Sequence, residues 1–171
     1  MDMIQIIAQI LGFVAVILGF IAYQVKTDKQ LLFVHLLVCA VFSVHYYLLG
    51  ALPGAVLNGV GVIRNIVYYH KDKKFYQPKL FPVLFALIML GLGIWSADGI
   101  HSVLLIAALA INTLCLSVKS AQKVRISVLF TCTMVLIYDV IEHSVGGAIF
   151  EAVAIVSAII GIIRYRNQKN A

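Results

Sequence analysis

Seven long apolar runs, separated by short polar or charged breaks, constrain this chain more than any other feature. A helix that crosses the hydrocarbon core of a bilayer needs about 20 mostly apolar residues. Hydrophobic residues make up 63% of the 171-residue chain and charged residues only 12%, whereas an ordinary soluble domain is about 25% charged. The pattern therefore predicts an all-α polytopic membrane protein with seven transmembrane helices. We place these helices at 4–23, 31–49, 53–69, 80–95, 101–118, 124–141 and 146–163.

Other classes of protein are disfavoured by the continuity of the runs and by missing motifs. A membrane β-barrel would alternate apolar and polar residues with a period of two, which these runs do not do. The 3 cysteines lie inside apolar runs and lack the paired spacing of a zinc or iron–sulfur site, so neither a metal nor a cofactor is expected. No phosphate loop, nucleophile elbow or zinc-protease motif occurs, so we do not expect an enzyme.

The basic residues indicate the orientation of the chain. Of the 13 Lys and Arg residues, all but Arg64 follow the first, third, fifth and seventh runs, whereas the opposite side carries Asp2, Asp98 and Glu142. The positive-inside rule then places the N-terminus outside and the C-terminus in the cytoplasm. Topology and anionic head groups account for the net charge of +6, so the lipid bilayer is the expected partner and nucleic acid is not.

The chain contains an internal repeat. Residues 26–73 align without a gap with residues 119–166, at an offset of 93, so that helix breaks and charge clusters coincide. The repeat predicts two three-helix bundles joined by a linker helix (3+1+3), with boundaries at 1–73, 74–100 and 101–171, the last including a short cytoplasmic tail. Because three helices and one linker helix return the chain to the side of the membrane where it began, both bundles should have the same orientation. Such parallel repeats are an architecture used by some transporters.

Three segments of the first unit carry a family resemblance. They are GFVAVILGFIAYQVKTDKQ, VHYYLLGALPGAVLNG and VIRNIVYYHKDK, and the unit resembles the PQ-loop and SemiSWEET three-helix unit. Through VHYYLLG, LNGVGVIRN and FEAVAIVSAIIGIIRYR, the whole chain resembles the YgjV-like proteins, which implies a place in the bacterial inner membrane.

The resemblance to SWEET proteins has further implications for fold and site. It implies two triple-helix bundles around a central route for sugars, with a polar residue on the third helix of each bundle touching substrate. Asn58 matches that residue in the first bundle, whereas the second bundle has Glu151 there. The Pro-Gln pair of the family is also altered, to Tyr23-Gln24.

Polar side chains inside the runs are the candidate site residues, because such groups are costly in a membrane unless they are paired or face water. Asn58 and Asn65 share one face of the third helix, for substrate binding or for helix packing. Glu151 lies on a face of small residues in the last helix. There it can carry a proton, bind a cationic group or pair with Arg64.

Two further candidates come from the repeat, which aligns His45-Tyr46 with Tyr138-Asp139 near the outer ends of the second and sixth runs. These residues either line an outer vestibule or anchor the helices at the membrane interface. The predicted site therefore consists of the substrate-binding residues Asn58, Glu151, Asn65 and His45 and of the charge partners Arg64 and Asp139.

These features together predict a small SWEET-like transporter, or a solute-binding membrane protein, for a small polar solute. A proton-linked mechanism is compatible with this prediction. The alternative is a membrane scaffold or assembly protein without a translocated substrate. An intramembrane enzyme with His45 and Glu151 as its acid–base pair is the least favoured interpretation. A homo-oligomer is compatible with all three functions.

We predict that reporter fusions after Lys29, Lys73 and Arg166 give a cytoplasmic signal and that fusions near Gly50 and Asp98 give an external signal. The reason is that basic residues are retained on the cytoplasmic side of the membrane. Alkaline phosphatase and fluorescent-protein fusions read out the two sides. A cytoplasmic signal at Asp98 would contradict a membrane-spanning fourth helix.

Overall fold

The computed structural model of the protein describes residues 3–24, 28–73, 80–115 and 121–170. Every regular element in those residues is an α-helix, which confirms the all-α prediction. The predicted linker residues 74–79 and the predicted end of the fifth run, 116–118, lie outside the described residues. The seven helices are α1 (Met3–Gln24), α2 (Asp28–Leu49), α3 (Leu52–Tyr69), α4 (Leu80–Ser96), α5 (Ser102–Cys115), α6 (Ala121–Ile141) and α7 (Val145–Asn170).

Two of the helices are long and apolar enough to cross a membrane by length and composition, over Met3–Ile21 in α1 and Lys29–Leu49 in α2. Shorter apolar stretches occur in α4, α5, α6 and α7. Large apolar side chains such as Ile10, Phe20 and Ile94 are exposed on the outside of the bundle. Exposed apolar surface on this scale suits contact with lipid better than contact with water.

One helix end differs from its prediction. Helix α7 continues to Asn170, beyond the predicted end at residue 163, so the predicted cytoplasmic tail is largely helical. The prediction followed the end of the apolar run, but helix formation depends on backbone hydrogen bonds and does not require an apolar sequence. The start of α3 agrees with the predicted start at Pro53, because Pro53 lies in the first turn of the helix, where its missing N–H is not needed.

The helices pack mainly against their neighbours in sequence, and the last helix closes against the first. Helix α1 contacts α2 and α7, α3 contacts α2, α4 and α5, and α6 lies between α5 and α7. The core between them is continuous and rich in aromatic side chains. Its largest buried members include Phe42, Tyr46, Leu57, Met89 and Tyr138.

The contact between α1 and α7 is made by two glycines. A Cβ atom at Gly12 would lie 2.9 Å from the Gly146 Cα, and a Cβ atom at Gly146 would overlap the Gly12 backbone. The two helices can therefore touch only because both positions lack a side chain. Gln9 of α1 adds polar contacts nearby, since its Nε2 donates to the His143 carbonyl at 2.8 Å and its Oε1 accepts from the Val145 N–H at 3.2 Å.

The turn between α2 and α3 is a Schellman motif. Gly50 takes a left-handed conformation, with φ of 82°. The Gly50 N–H donates to the Tyr47 carbonyl at 3.1 Å, and the Ala51 N–H donates to the Tyr46 carbonyl at 2.9 Å. These two bonds satisfy carbonyl groups at the end of α2 that would otherwise lack partners.

The turn between α6 and α7 repeats this motif at an offset of 93 residues. His143, which aligns with Gly50, has φ of 55°, although a side chain in that conformation costs about 1–2 kcal/mol. Its N–H donates to the Val140 carbonyl at 3.3 Å, and the Ser144 N–H donates to the Asp139 carbonyl at 2.8 Å. Equivalent residues of the two repeats thus make equivalent backbone bonds.

We predict that Gly146→Ala lowers the free energy of unfolding by about 1–3 kcal/mol, because the added methyl group forces α7 away from α1. Gly91→Ala is the matched control, since nothing lies within 4 Å of its Cβ position in α4. There the removal of a helical glycine should stabilise the protein by about 0.5–1 kcal/mol. Thermal unfolding in detergent measures both. Equal stability of Gly146→Ala and the wild type would contradict the close contact.

Candidate functional site

A hydrogen bond between α2 and α6 lies at the centre of the candidate site. The Tyr46 hydroxyl donates to Asp139 Oδ1 at 2.5 Å, and the exposed fractions of the two residues are 3% and 0%. The second carboxyl oxygen, Asp139 Oδ2, is buried without a hydrogen-bond partner. A charge held here without a compensating cation would be strongly disfavoured, so the geometry suits a neutral carboxylic acid.

His45, the neighbour of Tyr46, connects α1 and α2 with the start of α7. Its Nδ1 lies 2.6 Å from the Ala8 carbonyl oxygen, and its Nε2 lies 2.7 Å from Ser144 Oγ. Because a carbonyl oxygen can only accept, the proton of the neutral ring belongs on Nδ1, and Nε2 then accepts from the Ser144 hydroxyl. Ser144 Oγ in turn accepts from the Gly147 N–H at 3.2 Å, as an N-cap residue does.

Two glycines at equivalent repeat positions make room for the Tyr46–Asp139 pair. A Cβ atom at Gly54 would lie 2.5 Å from the nearest carbon of the Tyr46 ring. A Cβ atom at Gly147 would lie 2.6 Å from Asp139 Oδ1. Both distances are far inside ordinary van der Waals contact, so each glycine is required for the present position of its neighbour.

Glu151 is half-buried on α7, on the same side of the molecule as this network. Its carboxyl group interacts with the Cys132 thiol of α6 and, electrostatically, with the carboxyl group of Asp139. Glu151 Oε2 is buried without a hydrogen-bond partner. In the described part of the chain, therefore, two neighbouring carboxyl groups each have one unsatisfied oxygen.

Arg64 and Asn65 belong to a separate cluster. Arg64 Nη1 donates to Thr113 Oγ1 at 2.7 Å, and Nη2 lies 3.4 Å from Asn65 Oδ1. Asn65 Nδ2 donates to Cys39 Sγ at 3.5 Å. The structure thus joins Arg64 to α5 and to its own neighbour, and no ion pair between Arg64 and Glu151 occurs among the described residues.

Asn58 forms a local contact instead of reaching across to the other repeat. Its Nδ2 donates to the Gly54 carbonyl at 2.9 Å, one turn earlier in α3. A groove of about 400 Å³ lies nearby between α2 and α3, with Ser43, Tyr47 and Gly59 among its lining residues. Ser43 already donates to the Ala55 carbonyl at 2.8 Å, so this mostly apolar groove offers little to a polar solute.

The structure therefore brings together only some of the predicted site residues. His45 and Asp139 lie in one network, Glu151 lies beside it, and Arg64 and Asn65 lie in another cluster. His45 is fully buried, so it lines no open vestibule in this conformation. Ser144 is not among the predicted site residues, although a serine just before an apolar run is a recognised N-cap signal.

Comparison with known proteins identifies a family but no characterised relative. Residues 6–169 match the Imp-YgjV family of bacterial inner membrane proteins, which confirms the predicted resemblance to the YgjV-like proteins. No curated protein and no solved structure matches the chain significantly.

We predict that Tyr46→Phe lowers the free energy of unfolding by about 1–3 kcal/mol, because Asp139 then loses its donor while staying buried. Tyr47→Phe is the matched control, because Tyr47 is 70% exposed and should change stability by less than about 0.5 kcal/mol. Thermal unfolding of both variants in the same detergent gives the comparison. An equal effect of the two substitutions would show that the Tyr46–Asp139 bond contributes nothing.

Proposed function

The chain belongs to the Imp-YgjV family of bacterial inner membrane proteins, and from this premise we propose that it is a small SWEET-like transporter whose solute binding is linked to a proton. Its substrate is a small polar solute without net charge. All seven helices cross the membrane, with the N-terminus outside and the C-terminus in the cytoplasm. This orientation is supported by the distribution of basic residues in the sequence.

We propose further that the chain consists of two parallel three-helix bundles, α1–α3 and α5–α7, linked by α4. The equivalent Schellman turns at Gly50 and His143 support this arrangement. So does the Tyr46–Asp139 contact, because these residues occupy the same position in the two repeats. Residues that touch their own counterparts lie close to the axis that relates two copies of a unit.

The observation that carries the proposed function is a pair of neighbouring carboxyl groups, the buried Asp139 and the half-buried Glu151, each with one buried oxygen that lacks a hydrogen-bond partner and without a cationic partner among the described residues. Ionisable groups inside a membrane protein are costly and are typical of proton and substrate pathways. A purely structural network would be expected to satisfy its oxygens, since an unsatisfied buried oxygen costs about 1–3 kcal/mol.

In the proposed mechanism, the protonated Glu151 donates a hydrogen bond to the solute. Ionised Glu151 cannot donate, and its charge repels the neighbouring Asp139 when that group is also ionised. Solute and proton therefore favour the same state of the protein, and each raises the apparent affinity for the other. Asn58 contributes an amide group, which does not titrate. Its hydrogen bond to the Gly54 carbonyl must break before the amide can bind the solute.

A catalytic role is less well supported by the same geometry. His45 Nε2 and Ser144 Oγ are 2.7 Å apart, a distance typical of a nucleophile and its base. Both residues are buried, however, and Ser144 caps α7. We therefore propose a transporter and not an enzyme.

We predict that solute affinity in the wild type falls as the pH rises, by up to about tenfold per pH unit for a one-proton linkage, and that Glu151→Gln flattens this dependence. The measurement is thermal stabilisation in detergent by a panel of neutral sugars, polyols and amino acids, at a series of pH values. Asn58→Ala should weaken binding equally at every pH.

Asp72→Asn is the control, because it removes the charge of a carboxylate on the exposed surface, paired there with Lys29 at 2.8 Å. It should leave the pH dependence of binding unchanged. If no solute in the panel stabilises the wild type, or if Glu151→Gln binds with an unchanged pH profile, the proton-linked transporter is wrong. The membrane scaffold would then be the better interpretation.

A further inference from the structure

Three metal-ligating side chains converge at one end of the molecule, outside the network described above. Asp98 and His101 lie between the end of α4 and the start of α5, and Glu142 follows α6. One nitrogen or oxygen atom from each side chain lies within 4.8 Å of the others. We propose that these residues form a binding site for a transition-metal dication of the Zn²⁺ type.

The distances within the cluster are close to those of a metal site. His101 Nε2 lies 3.4 Å from Asp98 Oδ1 and 2.7 Å from Glu142 Oε1. Two ligand atoms that are each about 2.1 Å from a metal ion stand about 3.4 Å apart at a tetrahedral angle and about 3.0 Å apart at a right angle. The distance from His101 to Asp98 already fits a tetrahedral site. The distance from His101 to Glu142 would have to increase by about 0.7 Å or less.

The ring of His101 is held in place by its surroundings. It stacks on the fully buried Tyr138, with ring centroids 5.8 Å apart and an interplanar angle of 29°. Gly99 also lies close to the ring, since a Cβ atom at that position would lie 2.7 Å from His101 Nδ1. Positioning of this kind directs Nε2 towards both carboxylates.

A neighbouring side chain orients the Asp98 carboxylate, and a backbone hydrogen bond fixes the position of Glu142 in its turn. Ser102, which is fully buried, donates through Oγ to Asp98 Oδ1 at 2.5 Å. Glu142 lies in the Schellman turn, just before the left-handed His143, and its N–H donates to the Tyr138 carbonyl at 2.9 Å. Hydrogen bonds of the kind that Ser102 makes to Asp98, which orient the side chains that bind the metal, are a general feature of metal sites.

The donor set selects the class of metal. An imidazole nitrogen favours Zn²⁺ and similar transition metals, whereas Ca²⁺ and Mg²⁺ prefer oxygen ligands alone. A neutral imidazole binds a metal through the ring nitrogen that carries no proton, so His101 would bind through Nε2 as the tautomer with its proton on Nδ1. The side chains of the three residues are 16–35% exposed, so water has access to the remaining coordination positions.

A metal bound here would connect the α4–α5 connection to the α6–α7 turn. The first segment follows α4, the predicted linker helix, whereas the second lies within the second predicted repeat, and Asp139 follows Tyr138 directly in the sequence. The bound state would therefore restrain the same turn that positions Asp139 and Ser144. This consequence is independent of whether the protein carries a solute.

The test is equilibrium dialysis of Zn²⁺ against the full-length protein in detergent, purified without a histidine tag. The wild type should bind one equivalent, and Glu142→Gln and Asp98→Asn should each bind at least about tenfold more weakly. His101→Ala should lose the site, and His70→Ala is the control, because the exposed His70 lies at the end of α3, where its ring contacts Ile66 and Tyr69. Circular dichroism and size-exclusion chromatography show whether each variant is folded.

Co²⁺ provides a second, spectroscopic measurement. The wild type should show ligand-field absorption without the sulfur-to-metal charge-transfer band that cysteine ligands would produce. The proposal is wrong if a folded Glu142→Gln or His101→Ala variant binds Zn²⁺ as tightly as the wild type, if Ca²⁺ binds more tightly than Zn²⁺, or if the Co²⁺ spectrum shows thiolate ligation. Because Glu142→Gln preserves the shape of the side chain, it carries the test if His101→Ala does not fold.

Discussion

The hydrogen bond between Tyr46 and Asp139 joins the two halves of the chain where neither side chain is accessible to water. A polar group buried in this way is costly unless it is paired, so the bond holds α2 and α6 in one register. The bond also requires glycine at positions 54 and 147, because a side chain at either position would displace the Tyr46 ring or the Asp139 carboxyl group. The flanking Schellman turns use the backbone carbonyls of the same two residues.

His45 extends this constraint to the rest of the bundle. Through the Ala8 carbonyl it holds α1, and through Ser144 it holds the first turn of α7. The glycine contact between α1 and α7 closes the arrangement at the same place. In the proposed two-bundle arrangement, movement of one bundle against the other would have to break the Tyr46–Asp139 and His45–Ser144 bonds and the glycine contact together, so such a change would be cooperative. A proton or a solute can drive it only by binding one arrangement more tightly than the other.

The parts of this structure that depend on local sequence could be predicted, and those that depend on contacts between helices could not. Apolar length and Pro53 locate the helices, and the 93-residue offset anticipates the matching turns. The apolar runs also marked Asn58 and Glu151 as candidate polar residues inside the predicted spans, but the sequence could not reveal that Asn58 bonds within its own helix. The Arg64–Thr113 bond depends on the packing of α3 against α5, which no spacing in the sequence encodes.

The differences between the repeats have a physical cause at the positions where equivalent residues meet. If both repeats carried Asp at the position of Tyr46 and Asp139, two buried carboxyl groups would face each other and could not both ionise. Two tyrosines would place two bulky rings in the space that now holds one ring and one carboxyl group. A donor in one repeat and an acceptor in the other satisfy the contact with a single bond.

The same reasoning applies to His45, which needs a hydroxyl partner at Ser144. The residue of the first repeat that aligns with Ser144 is Ala51, which has no hydroxyl group and contributes to the turn through its backbone. Differences at these few aligned positions therefore let two similar turns hold one asymmetric polar network, in which the two carboxyl groups, Asp139 and Glu151, both belong to the second predicted repeat.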